Sequence, residues 1–163
     1  MLKVTKKRAA EENERLTSGN NIIIYCVPET NDALNEERTK HDKLFCSGLL
    51  KDALEVEVTD GDIKKIFRLC KRDASATTAG SILRELRERG IKNRIMESLY
   101  KLKQAEEKFK NVPITHDLIL PERTECKVLV LQAKRKHDKE EAEWLWRVRG
   151  APVWRKLSEF RND

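Results

Sequence analysis

The sequence predicts an α+β protein: a βαββαβ run over residues 20–120, a short helix before it, and a helix with a β-hairpin after it. Three observations lead there. Residues 22–27, IIIYCV, form a short apolar run closed by Pro28, and such a run bounded by turn residues is a buried strand. Ile91, Ile95, Leu99, Leu102 and Phe109 recur at helical spacing among lysines and arginines, which predicts a helix with one apolar side. Trp144, Trp146 and Val148 alternate with Leu145, Arg147 and Arg149 ahead of the turn residues Gly150, Ala151 and Pro152, the pattern of a hairpin.

Residues 1–19 read as a helix in which Leu2, Ala9 and Leu16 recur every seven positions, the spacing at the end of a coiled coil. A plain polar helix is the other reading of the same residues. Gly19, Asn20 and Asn21 break it. After the strand at 22–27, Asn31 and Asp32 offer caps for a helix over 34–54, where His41, Leu44, Phe45, Gly48, Leu49 and Asp52 keep helical spacing. Asp60 and Gly61 mark a turn. Residues 65–71 are expected as a strand, because Ile66, Arg68 and Cys70 alternate with Phe67, Leu69 and Lys71. Residues 73–81 are small and polar and read as a flexible loop. The run ILRELRERG, residues 82–90, has Ile82, Arg84 and Leu86 on one face if it is a strand, or Leu83 and Leu86 on one side if it is a helix. The long helix 91–109 follows, then a strand-like stretch from Ile114 to Leu120. Pro121 is expected as a first helical residue, with Glu122 and Glu125 in the first turn of a helix reaching about residue 143. The hairpin's second strand is expected through Val153, Arg155 and Leu157. The expected domains are residues 1–19, 20–120 and 121–163.

Hydrophobic residues make up 39% of the 163 residues and charged ones 38%. That suffices for a core holding roughly 80–100 packed residues under a heavily charged surface. The net charge of +6 is uneven: residues 1–63 hold 9 Lys/Arg against 13 Asp/Glu, and residues 64–110 hold 14 against 6. Such asymmetry points to a polyanionic partner. Cys26, Cys46, Cys70 and Cys126 form no C-x-x-C pair, and His41, His116 and His137 lie far from them at no ligand spacing, which argues against zinc. No phosphate-binding loop, G-x-S-x-G or His/Cys/Asp cluster is present. The expectation is a non-catalytic protein with no cofactor, no metal and no small-molecule substrate. With no leader-like segment and no apolar run of about 20 residues, no membrane association and an intracellular location are expected.

The order β, α, β, β, α, β is the split βαβ pattern of ferredoxin-like folds. Its sheet keeps both helices on one face, and in the RNA-recognition motif the other face stacks bases. Within this order, NIIIYCVPE resembles the first strand of the RNA-recognition domain in first-open-reading-frame proteins of LINE-type (non-LTR) retrotransposons, where a hydrophobic strand runs into G-V-P-E. Cys26 stands where that family has glycine, and Val27, Pro28 and Glu29 match. IFRLCKR resembles the second strand, SILRELRERGIKNRIMESLYKLK the third strand and second helix, THDLILPERTECKVLVLQAKRK the fourth strand and the start of the C-terminal domain, and WLWRVRGAP that domain's hairpin. The resemblance covers about residues 20–157 and rests on the order and spacing of these motifs. It implies an RNA-recognition-motif-like domain with a small C-terminal domain, binding of single-stranded RNA or DNA within a cytoplasmic or nuclear ribonucleoprotein, strand annealing, and self-association through the N-terminal helix. Two departures stand out. Gly80 and Ser81 replace the family's Arg-Pro before the third strand. Arg84 occupies an aliphatic position, where an inward side chain is a buried charge without an evident partner.

The resemblance also implies where nucleic acid sits. Ile23 falls where a stacking aromatic usually lies, and Tyr25 follows on the same face. One aromatic in place of two implies binding weighted toward phosphate contacts. Arg68, Lys71 and Arg72 leave the second strand where an RNA-recognition motif clamps the backbone. Arg87, Arg89 and Lys92 lie around the end of the third strand and the start of the second helix, where a helix N-terminus adds positive potential; a solvated charged face is the alternative. Arg147, Arg149 and Arg155 on the hairpin complete the expected set. The competing function is a structural or protein-interaction module that kept the fold and lost nucleic acid.

Overall fold

The computed structural model describes residues 2–30, 34–69, 79–137, 144–149 and 156–161. In chain order the elements are α1 (Leu2–Ser18), β1 (Asn21–Val27), α2 (Asn35–Gly48), β2 (Ile63–Arg68), β3 (Gly80–Leu86), α3 (Arg89–Glu97), α4 (Glu107–Lys110), β4 (Ile114–His116), α5 (Leu120–His137), β5 (Trp144–Arg149) and β6 (Lys156–Arg161). The protein is α+β. It divides into two compact units, residues 16–117 and residues 1–15 with 118–163. Among the described residues no helix is long and apolar enough to cross a membrane.

In the unit of residues 16–117, four antiparallel strands lie in the order β2-β3-β1-β4. Alternation decides the faces. Ile22, Ile24, Ile82, Leu86 and Ile114 point to the side where α2, the turn after it and α3 bring Cys46, Leu49, Ile91 and Ile95 into one buried cluster. The helix expected over 34–54 is α2 plus a wider π turn at Leu49–Ala53. The extra residue in that turn lets the adjacent Leu49 and Leu50 both reach the core.

The single helix expected over 91–109 is broken. After α3 the chain winds as a 3₁₀ helix through Ser98–Gln104, turns extended at Ala105, and resumes as α4. Leu99, Leu102 and Ala105 all pack against the core. Leu99 and Leu102 are three residues apart within the 3₁₀ segment, and in that winding side chains at this spacing eclipse one another on one side.

The expected flexible loop at 73–81 overlaps residues 70–78, which lie outside the described residues, as do the expected caps Asn31 and Asp32. Its last two positions, Gly80 and Ser81, are the first of β3. The strand expected over 65–71 begins at Ile63 and ends at Arg68. A turn sets its start: the Thr59 amide and hydroxyl both donate to an Asp62 carboxylate oxygen, at 2.9 and 2.7 Å, and hold that carboxyl below the usual carboxylate range. The strand-like stretch from Ile114 ends at His116 rather than Leu120.

The unit of residues 1–15 and 118–163 joins α1, α5 and the β5–β6 hairpin. Pro121 is the second residue of α5, not the first. The buried Glu122 carboxylate accepts the Ile119 amide at 3.3 Å and the Arg15 Nε at 3.2 Å, so it caps α5 and ties α1 to it. The hairpin pairs one-to-one from Trp144 with Arg161 to Arg149 with Lys156. Its second strand starts at Lys156; the expected return through Val153 and Arg155, and the helix expected beyond His137, lie outside the described residues.

Cys26 and Arg84 each carry a visible cost. β1 has a bulge between Ile24 and Val27, and Cys26 within it has a φ of 57°. A side chain there crowds the backbone, and glycine does not. Cys26→Gly is expected to stabilise the protein by about 0.5–1 kcal/mol, read as a higher urea midpoint at unchanged slope; a lower midpoint contradicts the strain.

Arg84 lies in the core-side row of β3, opposite Ile22 on one side and Ile66 on the other. It is 1% exposed, and its Nε and Nη1 have no hydrogen-bond partner among the described residues. Burial lowers its proton affinity, opposed by the neighbouring Cys46 and by Asp60. Burial likewise pushes the Cys46 thiol up to about 11, Arg84 pulling the other way. The inward charge raised by the sequence is therefore real. Arg84→Met, which keeps the volume and removes the charge, is expected to raise unfolding free energy by about 1–4 kcal/mol in urea titration; a loss of stability refutes this account.

Candidate nucleic-acid interface

The sheet face away from α2 and α3 is built from the alternate residues. One row across it runs Phe67, Leu83, Ile23, Thr115, and the next runs Lys65, Glu85, Asn21. The second row is knit by polar contacts: Lys64 lies 3.5 Å from Glu85, and Asn21 Nδ2 donates to Asp117 at 3.0 Å. Tyr25, half-buried, continues the Ile23 side of β1, with its amide donating to the Pro113 carbonyl at 2.9 Å.

Ile23 does share this face with Tyr25, but it is 8% exposed and Leu83 beside it is as deeply buried. The accessible member of the row is Phe67, 49% exposed. The sequence reading counted one aromatic on this face; the structure has two, Tyr25 on β1 and Phe67 on β2. Phe67 was legible, because the alternation in IFRLCKR already set Phe67 and Leu69 opposite Ile66 and Arg68. What it lacked was the cross-strand register that puts Phe67 in line with Ile23.

Arg68 corrects the expectation most sharply. Its guanidinium is not offered to a phosphate. Nε and Nη2 grip the two Asp42 carboxylate oxygens at 2.9 and 2.6 Å, Nη2 also reaches the Pro28 carbonyl at 2.8 Å, and Nη1 donates to the Val27 carbonyl at 3.4 Å and Glu29 at 3.3 Å. A guanidinium has five N–H donors, and five bonds engage them. The physical reason is the face: Arg68 alternates with Phe67, so it points to the helix side, where Asp42 of α2 lies about one turn before the buried Cys46.

Lys92 is also withdrawn from the surface. It is 5% exposed, and its ammonium donates to the Gly19 carbonyl at 2.7 Å. It follows Ile91 on the inward side of α3 and fastens the turn before β1. Arg87 and Arg89 are exposed as expected, and the Arg87 backbone is held by Asn20 Nδ2 and by the Asp62 carbonyl. Lys71, Arg72 and Arg155 lie outside the described residues. Arg147 and Arg149 lie on β5. Among the described residues, the accessible cations near the sheet include Lys65, Arg87, Arg89 and Arg94, with Lys64 exposed but beside Glu85. Cys26 is exposed, Cys46 buried and Cys126 half-buried, all as free thiols, and among the described residues no group of three or more His, Cys, Asp or Glu could hold a metal ion. No protein-family model and no curated protein matches the chain.

Gly80 is fixed by the Arg68 cluster. A Cβ at this position falls 2.7 Å from Arg68 Nη1 and 2.9 Å from Glu29 Oε1, so both side-chain ends must shift out of the bonds that Nη1 makes. Gly80→Ala is expected to cost about 1–3 kcal/mol by breaking the Nη1 bonds. Thermal melting checks it; an unchanged midpoint removes the steric argument.

Proposed function

We propose that residues 20–120 form an RNA-recognition-motif-like domain and that the protein binds single-stranded nucleic acid without catalysis, as its resemblance to LINE first-open-reading-frame proteins implies. The observation that carries this reading is the sheet itself. Four antiparallel strands run in the order β2-β3-β1-β4 within a βαββαβ chain order, the helices occupy one face, and Phe67 and Tyr25 stand on the other. A base presents a π-face to any aromatic side chain, so two aromatics on neighbouring parts of a sheet favour stacking without demanding a sequence. The excess of Lys/Arg over residues 64–110 supplies the attraction for phosphates.

The chemistry differs from the sequence reading in one respect. With Arg68 and Lys92 committed to internal partners, phosphate contact falls to Lys65, Arg87, Arg89 and Arg94, and stacking gains a second ring in Phe67. The glycine that the resembling motif carries at the position of Cys26 also falls where β1 needs a positive φ, which favours the alignment of that strand.

Binding of oligouridine is expected to weaken steeply with salt, log K falling against log salt by about 0.7 for each phosphate contacted. Phe67→Ala and Tyr25→Ala are each expected to lose about 1–3 kcal/mol of affinity, and Arg68→Lys to leave the salt slope unchanged. Fluorescence anisotropy at several salt concentrations reads all three. No binding at low salt favours a protein-interaction module on the same fold; binding indifferent to both aromatic substitutions moves the site elsewhere.

A further inference from the structure

On the sheet face away from the helices, a further row flanks the one that runs Phe67, Leu83, Ile23. The Leu69 amide donates to the Ser81 carbonyl at 2.8 Å, and Ile24 pairs with Ile82, so Leu69, Ser81 and Tyr25 fall side by side. The two rows form a grid with Phe67 and Tyr25 at opposite corners. The other corners are aliphatic, Leu69 and Ile23. Leu83, between Phe67 and Ile23, is nearly buried and gives a base little surface. From Phe67 to Tyr25 the path is two strand spacings across and two residues along, about 12 Å on the diagonal at ordinary sheet dimensions. Side chains on a strand stand roughly perpendicular to the sheet, so the backbone separation carries over to the rings.

We propose that Phe67 and Tyr25 stack two bases that are not neighbours in their strand: one nucleotide separates them and crosses β3 at Ser81 and Leu83 without a ring beneath it. The inference rests on the nucleic-acid reading above and gives that site its footprint. A sugar-phosphate repeat has as many backbone bonds as two amino-acid residues, so fully extended it spans roughly 7 Å. One repeat falls short of the diagonal of about 12 Å, and two repeats cover it with slack. Helically stacked nucleotides advance only about 3.4 Å each along a strand, so a duplex cannot set two bases on these rings, and the ligand is an unwound single strand. The aliphatic corners Leu69 and Ile23 carry no ring, so the opposite diagonal does not compete.

The test uses the full chain and labelled strands of about nine nucleotides, abasic everywhere except at two uridines, so that the phosphate contacts stay constant. In one strand the uridines are adjacent; in the other a single abasic unit lies between them. By fluorescence anisotropy at low salt, the separated pair is expected to bind about tenfold tighter than the adjacent pair, the worth of one more stacked base. Phe67→Ala and Tyr25→Ala are each expected to erase that advantage, whereas damage to the fold weakens both strands alike; the comparison of the two strands needs no variant. Equal or tighter binding of the adjacent pair, or an advantage that survives either substitution, overturns the proposal. Binding of ordinary oligouridine with no preference between the two strands overturns this inference alone, and failure of oligouridine to bind overturns the nucleic-acid reading together with it.

Discussion

One guanidinium holds the sheet's upper end to its first helix. Arg68 at the close of β2 binds Asp42 of α2, two carbonyls and a carboxylate at the close of β1, and it leaves room for only a glycine at the start of β3. Charge-assisted, forked bonds of this kind are directional as well as strong. They fix where β1 ends, how β2 leaves the sheet and how close β3 approaches. The Val-Pro-Glu that terminates β1 is therefore not only a strand stop; its carbonyls and carboxylate are ligands for Arg68.

Three cations taken inside this unit meet three outcomes. Arg68 finds a full set of acceptors, and Lys92 finds the carbonyl of Gly19. Arg84 lies among aliphatic side chains with two donors unmatched among the described residues. A buried charge is tolerable when its partners are arrayed around it and costly when they are not, so the same residue type organises one end of the sheet and strains its middle. The basic character of residues 64–110 consequently overstates the charge at the surface, and a functional reading based on counting cations must discount those that the fold consumes.

The aromatic face shows the converse. Phe67 belongs to a strand whose alternation was plain in the sequence, yet its neighbours Leu83 and Ile23 come from segments distant along the chain. Register places these three in one row, and within that row burial leaves the outermost ring exposed. The edge that exposes Phe67 also leaves the outward backbone groups of β2 unpaired by any strand among the described residues.

Local periodicity alone determined the α+β class, the extent of β1 and the faces of β2, because a period of two or of three to four is written in consecutive residues; it left residues 82–90 open between strand and helix and gave Gly80 and Ser81 of β3 to a loop. Leu99 and Leu102 lie in the 3₁₀ segment after α3, and their spacing reads as α-helical in the sequence because a separation of three fits both windings. Only the tertiary structure decided which arginine is satisfied, which lysine is buried, and which residue of a cross-strand row meets solvent. Those outcomes depend on Asp42 facing Arg68 and Phe67 facing Leu83, pairings between segments far apart in the chain, and no repeat within a strand or helix specifies the partner that a fold will bring across to it.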